Sequence, residues 1–292
     1  MISVLIPVFN FDVTALAEEL AQQCAESGRP WEIICLDDSS APEFRAVNRA
    51  LVNLPGIRYE ELPENVGRAA IRNRLADMAS FPYLLFMDCD SAVVRAGYIA
   101  LYLAHLEPGT VLYGGRVYAP VPPGDKRYLL HWKYGREREQ IPPEKRNQRP
   151  YHAFMTNNFL IPKPVFQSIR FEERIRHYGH EDTHFGKELQ RRGVPVIHID
   201  NPLEHKGLET AEVFLQKTSQ AVRNLLWLHR EDLPVQTRLM DFRNAVEKWR
   251  LLPMVRIALS VASPWMRRNL HSAQPALIVL DAWKLKLFLE DV

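Results

Sequence analysis

The sequence lacks both of the common glycine-rich phosphate-binding motifs, since neither G-x-G-x-x-G nor G-x-x-x-x-G-K-[ST] occurs in its 292 residues. This absence argues against a Rossmann dinucleotide-binding protein and against a P-loop nucleotide hydrolase. The sequence also lacks an uncharged apolar run close to the ~20 residues that span a bilayer, so we expect no transmembrane anchor. Residues 1–9 are apolar, but no basic segment precedes them and no small-residue cleavage site follows. We therefore expect a strand there and not a secretion signal.

Cysteine is scarce, with three residues in the chain, and an odd number cannot all pair with one another. Cys35 and Cys89 each lie inside an apolar run, where a free thiol behaves as a small hydrophobic side chain. This usage predicts a cytoplasmic protein. An excess of charge of one sign is missing too, because 37 basic and 35 acidic residues give a net charge of +2. The balance predicts that nucleic acid is not a partner.

Alternating strand and helix patterns dominate the first part of the chain. Short apolar segments bounded by turn residues predict strands at 2–8, 31–36, 57–62 and 83–87. Apolar residues at helical spacing predict helices between them, at 13–27, 43–53 and 66–79. The alternation predicts an α/β fold with a mostly parallel sheet that helices cover on both faces.

The pattern changes from about residue 119. Six prolines and a run of basic residues predict a loop-rich insert at 119–150. A strand at 158–161, a helix at 182–192 and a strand at 194–199 follow, and the chain after Gly207 reads as helices broken near four prolines, Pro234, Pro253, Pro264 and Pro275. We therefore expect one domain at 1–210, which includes the insert, and a helical extension at 211–292.

The ends of the predicted strands carry polar residues, and in parallel α/β sheets ligands bind beyond the carboxyl ends of the strands. Asp88-Cys89-Asp90 follows the fourth strand, where a two-residue period predicts that both carboxylates point to one side while Cys89 faces the core. Paired carboxylates suit a hard divalent cation whose other ligands are phosphate oxygens, so we predict Mg²⁺ or Mn²⁺ here.

Two further polar groups have both a structural and a functional interpretation. Asp37 and Asp38 end the second strand, where they can accept hydrogen bonds from a base or a ribose, or simply cap a turn. Arg68 and Arg72 are one helical turn apart, either as a clamp on a diphosphate or as a solvated face.

The segment 180–184, His-Glu-Asp-Thr-His, matches the H-E-x-x-H pattern of zinc peptidases. In that interpretation His180 and His184 bind zinc, and Glu204 is a candidate third ligand. The extended pattern of one such peptidase class is not met, because Gly186 falls one position early. The same letters contain the acidic pair Glu181-Asp182, which gives a different chemistry.

Six segments together resemble the inverting family 2 glycosyltransferases of GT-A fold: ISVLIPVFN, IICLDDSS, NVGRAAIRN, LLFMDCDS, TNNFLIPKPVF and GHEDTHFGKELQRRG. The resemblance covers about residues 1–207. It implies a nucleotide-sugar donor held at the strand ends, with a UDP-sugar as the commonest donor in the family, and a divalent metal ion, Mn²⁺ or Mg²⁺, on the diphosphate. The residues that it implies for the donor are Pro7, Val8, Phe9, Asp37, Asp38, Asn65, Gly67, Arg68, Arg72, Asp88, Cys89, Asn157 and Asn158.

The same resemblance implies Asp88, Asp90 and His205 as metal ligands and one of the pair Glu181-Asp182 as the catalytic base. The base would take a proton from an acceptor hydroxyl in a single displacement that inverts the anomeric carbon. Phe9 stands where the family usually has tyrosine, and Ser39 where it usually has glycine, which affects the donor more than the reaction. A nucleotide-binding module without turnover is the alternative from another class.

The insert and the tail predict partners less sharply. Between Asp125 and Arg149 the insert has eight basic and four acidic residues, which suits contact with an acceptor such as a lipid diphosphate or a growing polysaccharide, or a merely solvated loop. The tail from Asp241 carries Trp249, Trp265 and Trp283 near Lys or Arg. Its helices either lie on the inner face of a membrane, pack on the catalytic domain or form a homodimer.

Overall fold

The computed structural model describes residues 1–175, 178–231, 233, 235, 237, 239–240 and 252–290. The described chain forms two compact units, each built from separate stretches of sequence. The first unit contains residues 1–117, 140–175 and 185–207, and the second contains 118–139, 178–184 and the described residues from 208 onward. The segment 119–150 is therefore divided between the two units.

The strands all belong to the first unit. They are β1 (Ile2–Val8), β2 (Trp31–Asp37), β3 (Ile57–Glu61), β4 (Tyr83–Met87), β5 (Ser91–Val93), β6 (Val111–Tyr113), β7 (Arg116–Val117), β8 (Asn158–Pro162), β9 (Val196–His198) and β10 (Leu203–His205). Seven of them form one sheet in the order β3-β2-β1-β4-β8-β6-β9, and the other three form a small sheet in the order β5-β10-β7.

The helices number α1 (Thr14–Glu26), α2 (Pro42–Asn48), α3 (Arg68–Met78), α4 (Tyr98–Ala104), α5 (Leu129–Tyr134), α6 (Pro143–Arg146), α7 (Lys163–Ile169), α8 (Glu181–Arg191), α9 (Ala211–Arg230), α10 (Leu252–Leu270) and α11 (Leu277–Glu290). Of these, α5, α9, α10 and α11 lie in the second unit, and α8 has its first turn there and the rest in the first unit.

The predicted α/β architecture is confirmed. Strands β1 to β4 and β9 pair in parallel with their neighbours, whereas β8 runs antiparallel to β4 and to β6. Alternate residues of β1 enter separate cores, since Val4 and Ile6 pack on one side of the sheet and Leu5 on the other. The two cores account for the continuous apolar runs that mark these strands in the sequence.

The second unit buries a core of its own. Leu215 from α9, Met266 and Leu270 from α10 and Leu280 from α11 pack together with Leu130 from α5. The side chain of Thr210 caps α9 by accepting a hydrogen bond from the backbone N–H of Val213. No helix of the described residues is long and apolar enough to cross a membrane.

Two expectations about this part of the chain are corrected. Pro264 lies inside α10, so the helix break predicted there is wrong, whereas Pro253 sits in the first turn of α10, where a missing N–H costs little, and Pro275 lies between α10 and α11. Pro234 is outside the described residues. The insert is less irregular than its prolines predict, because it contains α5 and α6 and a π-helical turn at Gly135–Glu139.

Candidate functional site

The loops after β1 and β2 are tied to each other. The backbone N–H of Asn10 donates to Ser40 Oγ at 2.8 Å, and the Asn10 side chain accepts from the backbone N–H of Ala41 at 2.8 Å. Asn10 and Ser39 both have positive φ, at 49° and 63°, so each loop turns sharply at the strand end. Pro7 and Val8 are the last two residues of β1, and Phe9, which follows them, has 51% of its surface exposed.

Asp37 and Asp38 are buried, and each carboxylate holds backbone in place. Asp37 accepts from the backbone N–H of Ser40 at 2.6 Å and from the Tyr59 hydroxyl at 2.9 Å. Asp38 accepts from the backbone N–H groups of Val66 and Gly67, at 2.7 and 3.1 Å. Burial raises the pKa of Asp38, while these two N–H groups act to lower it. These contacts agree with the capping of turns. Each carboxylate oxygen has two lone pairs, so the same geometry also allows hydrogen bonds from a base or a ribose.

The loop before α3 follows from the same contacts. Asn65 donates from its side chain to the backbone carbonyl of Asp38 at 3.0 Å. Gly67 has φ 85° and ψ 166°, a conformation that is open almost only to glycine. The conformation of this loop therefore depends on two residues: the buried carboxylate of Asp38, which accepts its backbone N–H groups, and Gly67, which adopts the positive φ just before α3.

The arginine pair of α3 is divided by burial. Arg68 is exposed, whereas Arg72 is 2% exposed and donates to Asp88 Oδ1 at 2.6 Å. Arg116 of β7 donates to the other oxygen of Asp88 at 3.0 Å. The Asp88 carboxylate thus links α3 to β7 and neutralises the charges of Arg72 and Arg116, which are both largely removed from solvent.

Asp90 has a different environment. The main sheet strand ends at Met87, so residues 88–90 form a turn and not the alternating strand that the sequence predicts. The small sheet pairs Ser91 of β5 with His205 of β10, and this register brings His205 Nδ1 to 3.5 Å from Asp90 Oδ1. Burial acts to raise the pKa of Asp90, but His205 and then Arg116 and Arg68 outweigh it and hold that pKa far below its usual range.

The predicted metal ligands are therefore only partly together. Among the described residues no three His, Cys, Asp or Glu side chains are arranged so that they could hold a metal ion, but Asp90 and His205 face each other. The Oδ1 atom of Asp90 is buried, and no hydrogen bond of standard geometry reaches it from the residues that the structure describes. A buried, ionised carboxylate oxygen beside an imidazole nitrogen is a donor pair that fits Mn²⁺ or Mg²⁺.

Space for the Asp90 carboxylate depends on Gly207. A Cβ atom at that position would lie 2.3 Å from Asp90 Oδ2, well inside van der Waals contact. The backbone N–H of Lys206 also donates to the Asp90 carbonyl at 2.7 Å. The segment after β10 therefore fits closely around Asp90.

The two asparagines before and at the start of β8 differ in their remaining capacity for hydrogen bonds. Asn158 is fully buried, and its side chain accepts from Tyr98 and Tyr102 and donates to the carbonyls of Gly115 and Asn201. Asn157 accepts from Tyr113 at 3.1 Å, and its carbonyl receives the backbone N–H of Asp88. Asn158 thus has its side chain occupied by the protein itself.

Cys89 packs against the hydrophobic core, as predicted, and is a free cysteine like Cys24 and Cys35. Burial raises its pKa to about 12, with smaller contributions from the charges of Asp90 and Asp88. A thiol in this state stays neutral and serves as packing.

The H-E-x-x-H segment does not have the geometry of a zinc-binding helix. His180 has φ 71° and precedes α8, so its side chain does not share a regular helical face with His184. Its backbone carbonyl accepts the N–H of His184, and burial lowers the His180 pKa to about 4. His180 is therefore a half-buried, neutral imidazole just before α8.

Asp182 lies in the first turn of α8 and is held by Thr183, whose backbone N–H donates to it at 2.7 Å. Burial, followed by the charge of Glu181, raises the Asp182 pKa to about 6, although the two hydrogen bonds from Thr183 act to lower it. Glu181 is 7% exposed. A carboxyl group with a pKa near 6 is matched to general-base work near neutral pH.

Charged groups from other elements of the second unit surround this pair. Glu139 of the π-helical turn acts on Asp182 and accepts a hydrogen bond from the Tyr118 hydroxyl. Lys284 of α11 lies 4.6 Å from the ring centre of Tyr134. Burial raises the Tyr134 pKa, and the charges of Glu139 and Asp182 add smaller contributions in the same direction. These side chains come from three separate stretches of the chain.

The sequence does not predict a role for three residues: Arg116, Glu139 and Gly207. Arg116 follows the pair Gly114-Gly115 at a strand too short to show a period, and that glycine pair is the one available signal. Glu139 sits among other charges in the insert, and Gly207 directly follows the Glu-His-Lys segment of His205. Their roles depend on partners far away in sequence.

A sequence model described as glycosyl transferase family 2 matches residues 3–169. The hyaluronan synthase of Pasteurella multocida is 25% identical over 202 residues, which are 59% of this chain and 21% of that protein. The chain therefore spans about a fifth of the length of this curated relative.

Solved structures share the fold at low sequence identity. The S. aureus TarS fragment 1–349 has a TM-score of 0.51 at 16% identity, over 77% of this chain and 65% of that one. The mannosyltransferase PcManGT from Pyrobaculum calidifontis, solved with GDP-Man and Mn²⁺, has a TM-score of 0.55 at 14% identity, over 78% of this chain and 64% of that one. The GT-A fold that the sequence predicts is thereby confirmed.

Proposed function

Because this chain belongs to glycosyl transferase family 2, we propose that it transfers a sugar from a nucleotide-sugar donor, a UDP-sugar, to an acceptor hydroxyl with inversion. The observation that carries the proposal is the set of polar groups at the carboxyl ends of β1, β2 and β4 together with the Asp90–His205 pair. A synthetic role in a polysaccharide or glycoconjugate follows from the same family.

The donor would be held by the first unit. Phe9 offers an exposed ring on which a base can stack, and Asp38 and Asn65 lie at the neighbouring strand end for contact with the nucleoside. Exposed Arg68 is suited to the diphosphate, and buried Arg72 orients Asp88. Asn157 is the better placed of the two asparagines for a donor contact, because Asn158 is committed to the fold.

The metal ion of the family would be held by Asp90 and His205. A bound Mn²⁺ or Mg²⁺ would neutralise the charge that develops on the departing nucleoside diphosphate. Asp88 contributes as the residue that fixes Arg72 and Arg116 nearby, since both of its oxygens already accept hydrogen bonds from arginine. Ionised Asp90 keeps its charge at neutral pH because its pKa is strongly lowered.

The acceptor hydroxyl would lose its proton to Asp182 as its oxygen attacks the anomeric carbon. Asp182 is preferred over Glu181 because its raised pKa, about 6, lets it accept a proton and still be ionised at neutral pH. Glu139, from the insert that we expect to contact the acceptor, is an electrostatic neighbour of this base. A single displacement of this kind forms no covalent intermediate and inverts the configuration.

A donor screen tests the function directly. We expect one of the UDP-, GDP- and dTDP-sugars to raise the melting temperature in the presence of Mn²⁺, by an amount that grows with occupancy. NMR of the transferred sugar on a model acceptor then reports its anomeric configuration. Equal stabilisation in excess chelator would refute the metal-dependent site, and retention of configuration would refute the proposed displacement.

Gly207→Ala should displace the Asp90 carboxylate and weaken Mn²⁺-dependent nucleotide binding by roughly tenfold, the lower end of what misplacing a metal ligand costs. The reason is the 2.3 Å separation between the added Cβ and Asp90 Oδ2. Titration calorimetry with UDP and Mn²⁺ measures the effect. Gly124→Ala is the matched control, since a Cβ there meets nothing within 4 Å. Wild-type affinity in the Gly207 variant would contradict the Asp90 assignment.

The pH at which transfer activity falls on the acid side, the acid limb of the pH profile, should depend on the charge of Glu139. Asp182 must be ionised to act, so transfer should fall as the pH drops through its pKa of about 6. Glu139→Gln removes a negative neighbour, which makes ionisation of Asp182 easier and moves the limb to lower pH by roughly half a unit. Glu181, Lys284, Arg138 and Asp281 also act on this cluster and are left unchanged.

The pH dependence of kcat/KM measures this shift. Glu137→Gln is the control, because Glu137 lies on the same turn but is 54% exposed and pairs with Lys133. A shift of the limb to higher pH in the Glu139 variant would contradict the assignment of Asp182 as the base.

A further inference from the structure

A row of large apolar side chains on α10 faces solvent. The exposed fractions are 70% for Met254, 66% for Ile257, 77% for Val261 and 61% for Trp265. Their spacing of three, four and four residues places them within about 100° of one another around the helix. We call these four residues the α10 stripe. Four large apolar groups in one continuous row on a surface mark an interaction site.

The opposite face of α10 explains why the stripe is not part of the core. Leu259, Ala262, Met266 and Leu270 pack against α11 and α9 in the core of the second unit. The helix is therefore fixed by its inner face, and the stripe contributes nothing to that core. Exposure of the stripe costs free energy of hydration, and a partner that covers the stripe recovers it.

The charges on α10 identify the kind of partner. The helix from Leu252 to Leu270 contains Arg256, Arg267 and Arg268 and no Asp or Glu. At about 100° per residue, Arg256 and Arg267 lie together on one flank of the stripe, and Arg268 continues the stripe beyond Trp265. An apolar row with a terminal Trp and basic flanks is complementary to the surface of an anionic bilayer, where apolar groups enter the acyl boundary and arginines meet phosphates.

A groove beside the stripe supports the same partner. It lies between α10 and α11 and is lined by Arg256, Ile257, Ser260, Lys286 and Leu289, among others. Lys286 pairs with Glu290 at 2.8 Å, whereas no ion pair of Arg256 is seen within the described part of the chain, so Arg256 contributes positive charge to the groove. Cationic and hydroxyl groups above an apolar floor match the headgroup and the first methylenes of a phospholipid.

We propose that the α10 stripe docks this protein onto an anionic lipid surface. The tryptophans of the tail therefore have different roles. Trp265 belongs to the stripe, whereas Trp283 packs against the core of the second unit. Trp249 lies outside the described residues. The docking surface is independent of the proposed donor and base residues.

Vesicle sedimentation tests the proposal with the full chain. We expect binding to vesicles of phosphatidylglycerol and phosphatidylcholine that weakens with salt, and much weaker binding to phosphatidylcholine alone. Changing Met254, Ile257, Val261 and Trp265 to Ser should lower the partition coefficient at least about tenfold, because each exposed side chain loses its apolar contact with lipid. Replacing Arg256, Arg267 and Arg268 with Gln should lower it about fivefold per residue.

Control variants keep the test decisive. Val47→Ser and Val52→Ser remove exposed apolar side chains from the first unit and should leave vesicle binding unchanged. Circular dichroism and melting of the stripe variant should match wild type, since all four side chains are exposed. Absence of binding to the anionic vesicles would overturn the proposal. So would a concentration-dependent dimer that the stripe variant abolishes, because a second copy of the chain would then be the partner.

Discussion

Asp182→Asn is expected to lower the rate of sugar transfer by about 10²–10⁴-fold, the usual cost of removing a general base, while leaving the donor Kd nearly unchanged. The amide preserves the shape of the side chain and one acceptor oxygen for the N–H of Thr183, so the start of α8 should keep its structure. It cannot take a proton at neutral pH. Single-turnover rates and calorimetric donor affinities separate the two effects.

The neighbouring carboxyl provides the comparison for this experiment. Adjacent residues on a helix point about 100° apart, so Glu181 and Asp182 cannot both face one hydroxyl. Glu181→Gln should therefore retain transfer, apart from the change that loss of its charge makes to the Asp182 pKa. If the Glu181 variant is the inactive one, the base assignment is wrong but the mechanism survives. If both variants retain full transfer, catalysis by a base on α8 is refuted.

The two carboxylates of the D-x-D segment should give opposite results. Asp90→Asn is expected to weaken Mn²⁺-dependent nucleotide binding by at least about 10²-fold, since even loss of a partner of a metal ligand costs 10–100-fold. Its effect on the stability of the metal-free protein should be smaller than that of Asp88→Asn, because Asp90 lies 3.5 Å from His205, whereas Asp88 accepts hydrogen bonds from two arginines at 2.6 and 3.0 Å.

Asp88→Asn should instead lower the free energy of unfolding by about 3 kcal/mol, because it breaks the ion pair to Arg72, whose side chain is 3% exposed, and leaves that cation buried. Calorimetry with and without chelator, together with chemical denaturation of the metal-free variants, measures both quantities. Asp200→Asn is the control, as Asp200 is a 68% exposed carboxylate of the same unit. Interchanged results for Asp88 and Asp90 would move the metal from Asp90 to Asp88.

Much of the first unit could be predicted from local sequence. Strands β1, β2 and β4 are recognisable because each is a continuous apolar run that enters two cores, and polar groups follow directly after those runs. Strand β3 is recognisable because buried Ile57 and Tyr59 alternate with exposed polar residues. The start of α8 is recognisable because two acidic residues favour the positive end of a helix dipole.

The partners of these residues could not be predicted in the same way. Strands β5, β7 and β10 have two or three residues each, too few to show a period, yet their pairing brings Arg116 to Asp88 and His205 to Asp90. Contacts across 28 or more residues leave no local pattern. The D-x-D spacing predicts one common direction for both carboxylates, whereas the strand ends before Asp88 and sends them to separate partners.

The reciprocal hydrogen bonds between the loops after β1 and β2 have a thermodynamic consequence. Asn10, Ser40 and Ala41 fix the backbone directly after Phe9 through contacts made within the folded chain. The conformational entropy of that loop is therefore lost during folding and not during association. A ligand ring that stacks on Phe9 therefore binds to a loop that is already ordered. The free energy of binding is then reduced little by the entropy cost of ordering that loop.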